Sequence, residues 1–271
     1  MSTGPIPTVG VFDSGFGGLT VLKELLPLAP NARYLYFGDT ARLPYGSKSP
    51  ETVARYAVQA AHFLESHGAS LLVLACNTAT ALAFEQTRAA AHIPVIGVIE
   101  PGAAAAAGIS KTRKAVVLAT EATVASHAYQ RALAARQMQS LEKACPLLVP
   151  LVEEGWIEHP VTEQVARIYL NEAFSGEFEQ ADVLLLGCTH YPLLRPLFQR
   201  LVPPGVAIVD SAESTARAVA QTLQTGNAPA SASDKPELHF FATDSAEKFR
   251  RLGTSFLGRP IQQVVHVDLR E

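Results

Sequence analysis

The sequence predicts an α/β fold in which parallel sheets are covered by helices on both faces. Short apolar runs alternate along the chain with longer segments of helical period, which is the order of elements in strand–helix–strand units. The runs are apolar at consecutive positions, as expected for strands that are buried on both sides. A strand-and-cysteine pattern that occurs twice further predicts two doubly wound halves of similar plan.

Four strands and three helices are predicted in the first half of the chain. The strands are IPTVGVF, RYLYFGD, ASLLVLAC and IPVIGVIEP. The helices are GGLTVLKELLPLAP, SPETVARYAVQAAHFLESHG and TATALAFEQTRAAAH. The second helix has the clearest boundaries, because it opens with Ser-Pro and closes at Gly68.

The same alternation continues in the second half. Further strands are predicted at KAVVLAT, PLLVPL, ADVLLLGC and VAIVDS, with helices from about Thr123 to Arg136 and from about Thr162 to Phe174. The polar segment GNAPASASDKPE predicts a surface loop. After it, LHFFATD and IQQVVHVD are expected to be closing strands.

The composition excludes several classes of partner. Of the 271 residues, 48% are apolar and 17% are charged, and the formal net charge is -3. This balance offers no basic surface for nucleic acid or for an anionic membrane. The N-terminal segment has no charged region followed by an apolar one, and the apolar stretches are short. We therefore expect neither a secretory signal nor a membrane span.

The chain has only three cysteines, which argues against a disulfide scaffold and favours a reducing, cytoplasmic location. Cys145 stands between Ala144 and Pro146 and is interpreted as a small buried hydrophobe. No CxxC or paired Cys/His spacing indicates a metal site, and no dinucleotide or P-loop motif is present. We therefore expect neither a metal nor a cofactor.

Cys76 and Cys188 occupy equivalent places in two similar segments. ASLLVLACNT can be laid over ADVLLLGCTH without a gap, and in each a buried strand leads directly into the cysteine. Upstream, TVGVFDSG and AVVLATEAT form a second similar pair. Look-alike strands occur in any α/β protein, but the matching cysteines favour a true repeat.

Polar residues stand where these strands end. They are Asp13 and Ser14, Cys76 to Thr78, Thr120 to Thr123, and Cys188 to His190. Ligands of parallel sheets bind at the carboxyl ends of strands, where helix N-termini also point. Helix capping alone is the alternative for Ser14 or Thr78, but capping does not explain two cysteines.

Two thiols at such an edge suggest proton transfer at carbon. A helix N-terminus or a nearby cation, such as protonated His190, stabilises a thiolate. One thiolate and one thiol facing each other across a substrate would form a base and an acid together. Such a pair can remove a proton from one face of a carbon and return one to the other.

A family resemblance covers nearly the whole chain. It is carried, in this order, by VGVFDSGFGGLTVLKEL, YFGDTARLPYGSKS, LLVLACNTATA, IPVIGVIEP, VPLVEEGW and LLLGCTHYPLL. Together these segments resemble the motifs of glutamate racemases, within the aspartate/glutamate racemase superfamily. ACNTA and GCTHYPLL are specific in combination, and LPYGSKS narrows the resemblance to the glutamate enzymes.

The resemblance implies racemisation of glutamate by two thiols, without cofactor or metal. In such enzymes Cys76 would take the proton from D-glutamate and Cys188 from L-glutamate, assisted by Asp13 and His190 respectively. Glu153 matches the acidic position of VPLVEEG. The substrate-binding residues implied are Asp13, Ser14, Pro44, Tyr45, Gly46, Cys76, Asn77, Thr78, Thr123, Cys188, Thr189 and His190.

The resemblance also implies an organisation and a context. Residues 1–98 and 208–271 would form a first α/β domain, residues 99–207 an inserted second one, with the active site in the cleft between them. The last helix would begin near IVDSAESTARAV. A homodimer that supplies D-glutamate for peptidoglycan is expected. Only twelve residues precede Asp13, so the resemblance does not extend to the longer N-terminal segment that is associated, in some members, with activation by a cell-wall precursor.

Three other functions remain open from the residues alone. The first is a racemase for aspartate or another acidic amino acid, because a thiol pair does not determine side-chain length. The second is a thiol hydrolase that uses Cys188 with His190, which would leave Cys76 without a role. The third is a non-catalytic protein that holds acidic amino acids between two lobes.

Overall fold

The computed structural model describes residues 6–225 and 236–269, and these contain two parallel sheets. The larger sheet has the strand order β10-β9-β2-β1-β3-β4. Its strands are β1 (Thr8–Asp13), β2 (Arg33–Gly38), β3 (Leu71–Leu74), β4 (Val95–Gly97), β9 (Leu238–Ala242) and β10 (Val265–His266). The smaller sheet has the order β6-β5-β7-β8 and comprises β5 (Lys114–Ala119), β6 (Gln139–Ala144), β7 (Val183–Gly187) and β8 (Ala207–Asp210). The predicted fold class is confirmed.

Helices lie between the strands and cover the sheets. In chain order they are α1 (Leu19–Leu28), α2 (Pro50–Ser66), α3 (Asn77–Ala90), α4 (Ile99–Ile109), α5 (Glu121–Ala125), α6 (Ala128–Ala134), α7 (Leu148–Glu153), α8 (Pro160–Ala173), α9 (Arg195–Leu201), α10 (Ser211–Thr225) and α11 (Ala246–Leu257). The predicted start of α2 is observed, since the Ser49 side chain accepts a hydrogen bond from Thr52 N–H. Gly68 follows the helix with φ of 90°.

The two halves share one plan of strand pairing. In each, the first strand lies between the second and third, and the fourth lies outside the third. β1 therefore pairs with β3, and β5 pairs with β7, so each cysteine strand has the first strand of its half as a neighbour. All residues of β1, β3 and β7 are buried, as their unalternated apolar sequences predict. The strand order reverses between the first and third strands, which is where ligands bind in such sheets.

One predicted strand is wrong. PLLVPL lies at the start of α7, where the buried residues Leu148 and Val152 are four positions apart and face the core together. The strand of this region is instead β6, with the polar sequence QSLEKA. β6 lies at the edge of the smaller sheet and is only partly buried, so it lacks the apolar run on which the prediction depended.

Three other elements differ in extent from their predictions. The strand predicted at IPVIGVIEP ends at Gly97, and its last three residues form the first turn of α4, which accommodates Pro101. The helix predicted from Thr123 to Arg136 is interrupted at His127, whose φ of 54° separates α5 from α6. Of IQQVVHVD, only Val265–His266 pairs as a strand. The helix expected to be the last, α10, is followed by α11.

The chain passes from one sheet to the other at the end of β8. β8 pairs with β7, so the boundary expected at residue 208 falls within a strand of the smaller sheet, and the crossing comes after Asp210. α10 then packs against both α1 and α4 and so contacts both halves. Residues 226–235 of the predicted surface loop lie outside the described residues. Within the described ranges, no helix is long and apolar enough to cross a membrane.

Candidate active site

The ends of the central strands of both sheets open onto one cavity of about 340 Å³. It is lined by Ser14, Leu43, Pro44, Tyr45, Gly46, Cys76, Asn77, Thr78, Thr120, Val149, Pro150, Glu153, Glu154, Cys188, Thr189, His190 and Lys248. Both cysteines of the repeated motif therefore border the same space. A larger cavity of about 520 Å³ lies between α3, α4 and α6, but it is lined by neither cysteine nor histidine.

Cys76 lies at the N-terminus of α3 in a buried setting. Its sulfur accepts a hydrogen bond from Ala79 N–H at 3.4 Å, and its thiol donates to Ser14 Oγ at 3.5 Å. Burial, together with the negative charge of Asp13, raises the pKa of the Cys76 thiol to about 12, and the hydrogen bonds with Ser14 and Ala79 oppose that rise. Cys76 is therefore a protonated thiol at neutral pH.

Cys188 has a cationic partner instead. Its sulfur lies 3.9 Å from Nδ1 of His190, and Nε2 of His190 lies 3.1 Å from Oε1 of Glu153. Burial alone would lower the pKa of His190, but hydrogen bonds to Cys188 and Glu153, together with the charges of these two groups, raise this pKa to about 10. His190 is consequently an imidazolium at neutral pH, and an adjacent cation stabilises a thiolate.

Asp13 lies beneath the cavity rather than on its surface. Its Oδ2 accepts a hydrogen bond from Gly15 N–H at 2.9 Å, whereas its buried Oδ1 has no hydrogen-bond partner. Burial raises the pKa of Asp13, and the charge of His190 opposes that rise. The group in contact with Cys76 is the Ser14 hydroxyl, so Asp13 acts on this thiol through its charge.

Hydroxyl and amide groups from both halves meet beside Cys76. The hydroxyl of Thr78 is 2.9 Å from that of Thr120 and 3.3 Å from that of Thr123. Thr123 is fully buried and does not line the cavity, while Thr120 does. The second-half threonine that borders the cavity is thus Thr120, at the strand end, three residues before Thr123.

The glycine-rich segment after β1 provides the surface on which the second half packs. A Cβ atom on Gly17 would lie 2.2 Å from Oγ1 of Thr189 and 2.8 Å from the ring of His190. Thr20 also donates a hydrogen bond to the carbonyl oxygen of Thr189 at 3.0 Å. Close approach of the Thr189–His190 segment therefore requires glycine at position 17.

The Pro44–Tyr45–Gly46 turn borders the cavity from the first half. Its Tyr45 side chain points into the core, where the hydroxyl donates to Oδ2 of Asp39 at 2.5 Å. Asp39 also pairs with Arg42 at 2.7 Å. Because the tyrosine ring is anchored below, the backbone of the turn faces the cavity.

Most residues predicted for the site meet around this cavity. The exceptions are Asp13 and Thr123, which support it from behind. Between Glu153 and Glu154, which both line the cavity, Glu153 is the one bonded to His190. Lys248 of α11 was not predicted, and it carries no sequence signal because it comes from a segment without a recognised motif.

The site therefore combines an acid, a base and hydrogen-bond donors. A protonated thiol and a thiol beside an imidazolium border one space, and hydroxyl and amide groups line the same space. This set can transfer protons at a carbon atom held in the cavity. In the described part of the chain, no group of three or more histidine, cysteine, aspartate or glutamate side chains is arranged to hold a metal ion.

Comparison with known proteins agrees with this chemistry. The family model for Asp/Glu/hydantoin racemases matches residues 19–219. A glutamate racemase of Koribacter versatilis is 59% identical over 97% of this chain and 98% of its own. The structure of Thermus thermophilus glutamate racemase in complex with β-chloro-D-alanine has a TM-score of 0.87 and 42% identity, with 97% of both chains covered.

A further solved structure was determined with an amino acid bound. The glutamate racemase of Francisella tularensis, in complex with D-glutamate, has a TM-score of 0.88 and 34% identity, covering 97% of this chain and 98% of that one. The identities and coverages place the relationship at the level of the whole chain. The chain belongs to the Asp/Glu/hydantoin racemase family and, within it, to the glutamate racemases.

Proposed function

We propose that this enzyme interconverts L-glutamate and D-glutamate by transferring protons between the substrate Cα and two thiols. The observation that carries the proposal is that Cys76 and Cys188 border one cavity, with Ser14 beside the first sulfur and His190 beside the second. Burial favours the neutral thiol at Cys76, whereas the His190 imidazolium places a positive charge beside the Cys188 sulfur, and a charge of that sign stabilises a thiolate. We therefore assign Cys188 as the base and Cys76 as the acid when the substrate is L-glutamate.

In this direction the Cys188 thiolate removes the Cα proton of L-glutamate and becomes a thiol. The electron pair left at Cα delocalises into the α-carboxylate. Cys76 then delivers its proton to the opposite face of Cα, which yields D-glutamate and a Cys76 thiolate. The reverse reaction starts from that thiolate, and proton exchange through solvent restores the first state.

Stabilisation of the carbanion falls to donors that are in place before the reaction. Asn77, Thr78 and Thr189 line the cavity beside the thiols and are proposed to bind the α-carboxylate, where negative charge develops. The Pro44–Tyr45–Gly46 turn is proposed to bind the side-chain carboxylate. Lys248 adds a positive charge to the cavity rim, which favours a dicarboxylic substrate.

The proposal is tested by incubating the purified enzyme with L-glutamate in deuterium oxide without added cofactor. We expect D-glutamate with deuterium at Cα, followed by NMR for the label and chiral chromatography for the enantiomer. Aspartate run in parallel tests the alternative acidic substrate. Glutamate that binds without any Cα exchange would refute the proposal and favour a binding protein.

Single substitutions assign the two faces. Cys188→Ser is expected to abolish exchange of the Cα proton of L-glutamate, and Cys76→Ser that of D-glutamate, while both abolish net racemisation. Cys145→Ser is the matched control, because Cys145 is buried and does not line the cavity. Loss of activity in all three variants would contradict the assignment.

Three further expectations follow from the family. D-glutamate formed here is expected to serve peptidoglycan synthesis, and a cytoplasmic enzyme would have access to that pathway. A homodimer stays a prediction, and sedimentation velocity of the purified enzyme tests it directly. A single species of monomer mass at assay concentration would contradict it.

A further inference from the structure

Tyr129 contacts both cysteine motifs from a fully buried position in α6. Its hydroxyl donates a hydrogen bond of 2.6 Å to Oδ1 of Asn77, the residue that follows Cys76. Its ring lies against Gly187, the residue that precedes Cys188, so closely that a Cβ atom there would come within 2.9 Å of the ring. One side chain therefore joins the two segments that carry the thiols.

The Asn77 amide is held from both ends. Its oxygen accepts from Tyr129, and its nitrogen donates to Oγ of Ser211 in α10 at 3.3 Å. An amide nitrogen has two N–H groups, so one is left for a ligand in the cavity that Asn77 lines. If the amide rotated by half a turn, its oxygen would face that ligand, and an anionic ligand would be repelled.

The ring of Tyr129 belongs to a hydrophobic core cluster, but packing does not explain its hydroxyl. A phenylalanine would fill the same volume, and the hydroxyl would then not have to be placed within a fully buried region. A second glycine, Gly102, also lies beside this side chain, and a Cβ atom at that position would be 3.6 Å from the tyrosine hydroxyl. Burial raises the pKa of Tyr129 well above its ordinary value, so the hydroxyl remains a donor throughout the working range.

We propose that Tyr129 is a positioning residue. It orients the Asn77 amide toward the substrate carboxylate and determines the position of that amide relative to Cys188. The inference rests on the proposed function in one respect, namely that Asn77 binds the α-carboxylate. Tyr129 itself does not line the cavity and is not a catalytic residue. Its contribution reaches the reaction through Asn77.

The test compares Tyr129→Phe with Tyr34→Phe. Both remove one hydroxyl from a buried tyrosine, but Tyr34 donates to the carbonyl oxygen of Ala29, away from the site. We expect Tyr129→Phe to lower kcat/KM by about 10- to 100-fold in both directions, with a higher KM and a lower kcat, because a buried acceptor is left unpaired and the amide can turn. Tyr34→Phe is expected to lower the melting temperature without changing KM.

A double-mutant cycle separates positioning from general destabilisation. In an Asn77→Ala background, adding Tyr129→Phe is expected to change kcat/KM by less than about twofold, because the group that Tyr129 orients is gone. If turnover becomes too slow to measure, the same cycle is evaluated from dissociation constants of D-glutamate. These are measured by calorimetry on the wild type, the two single variants and the double variant.

The outcomes are distinct from those that test the reaction itself. If the wild-type enzyme does not racemise glutamate, the proposed function fails before this comparison begins. If the wild type is active and Tyr129→Phe keeps its kcat/KM, the inference is overturned. Tyr129→Phe that lowers kcat/KM by the same factor with and without Asn77 would also overturn the inference, since the effect would then not depend on the Asn77 amide.

Discussion

Nε2 of His190 lies 3.1 Å from Oε1 of Glu153, across the gap between the segment after β7 and the last residue of α7. This ion pair extends the chain of contacts that begins at the Cys188 sulfur. It explains how an imidazolium persists in a site where burial alone would remove its charge. His190 therefore places a positive charge beside the Cys188 sulfur at neutral pH.

Replacing Glu153 by glutamine should lower the pKa of His190. Since this pKa is raised from about 6.5 to about 10, the imidazolium persists through neutral pH and is lost as the pH rises through 10. Removing a carboxylate at this distance should move the alkaline limb of kcat/KM for L-glutamate down by about 1 unit or more. The measurement is the pH profile of both directions of the reaction.

Glu154→Gln is the matched control for that profile. Glu154 also lines the cavity, and the described structure shows no ion pair between it and His190. We expect its alkaline limb to stay where the wild-type limb lies. An equal shift in both variants would point to the overall charge of the cavity rather than to the contact with His190.

Gly17→Ala should separate the two motifs that meet beside His190. The new Cβ would overlap Oγ1 of Thr189 at 2.2 Å, and both partners are buried, so the second half must move away. We expect kcat/KM to fall by at least about 100-fold, as for a displacement of reacting groups by about 1 Å. Steady-state kinetics together with a melting curve measure the effect.

Gly108→Ala makes the same change at an exposed helix position where no atom lies within 4 Å of the added Cβ. Alanine there should stabilise the protein by about 0.5–1 kcal/mol, because glycine is the poorer helix former. Activity should be unchanged. A Gly17→Ala enzyme with wild-type kinetics would show that the site tolerates a shift of its two halves.

Lys248→Ala should weaken capture of the substrate. Lys248 is an exposed residue at the cavity rim. We therefore expect KM for glutamate to rise by about two- to fivefold at low salt, with kcat nearly unchanged. The difference in KM between the variant and the wild type should become smaller at high ionic strength, because salt screens the charge. Arg250→Ala removes the same charge from the same helix but away from the cavity. Equal effects of the two variants would mean that net charge, and not the rim position, governs KM.

Thr123→Val should affect folding more than binding. Its hydroxyl bonds to Thr78 and Thr120 in a fully buried position, so its loss should cost about 1–2 kcal/mol of unfolding free energy. Thr78 and Thr120 remain bonded to each other, so KM should change little. Thr78→Val, which removes a cavity-lining hydroxyl, should raise KM instead, and urea unfolding with kinetics distinguishes the two.

Local pattern was sufficient for most of the fold because the central strands are buried on both faces. Consecutive apolar residues identified β1, β3, β5 and β7 without any knowledge of their neighbours. The same rule failed at PLLVPL, since a short apolar run is compatible with a buried strand and with one face of a helix. It also missed β6, whose edge position removes the need for apolar residues on both sides.

The two candidate reactive cysteines were likewise predictable from the sequence, because a cysteine at the end of a buried strand and next to a helix start is a local arrangement. The residues that these cysteines and their neighbours contact across the cleft were not predictable. Four features depend on how segments far apart in sequence pack together. They are the bond of His190 to Glu153 rather than to Glu154, the contact of Gly17 with Thr189, the position of Lys248 at the rim of the cavity, and the hydrogen bond of Tyr129 to Asn77. The sequence determines which chemical groups the side chains carry. Their protonation and orientation depend on the distances to neighbouring groups, and these distances are determined by the packing of the two halves against each other.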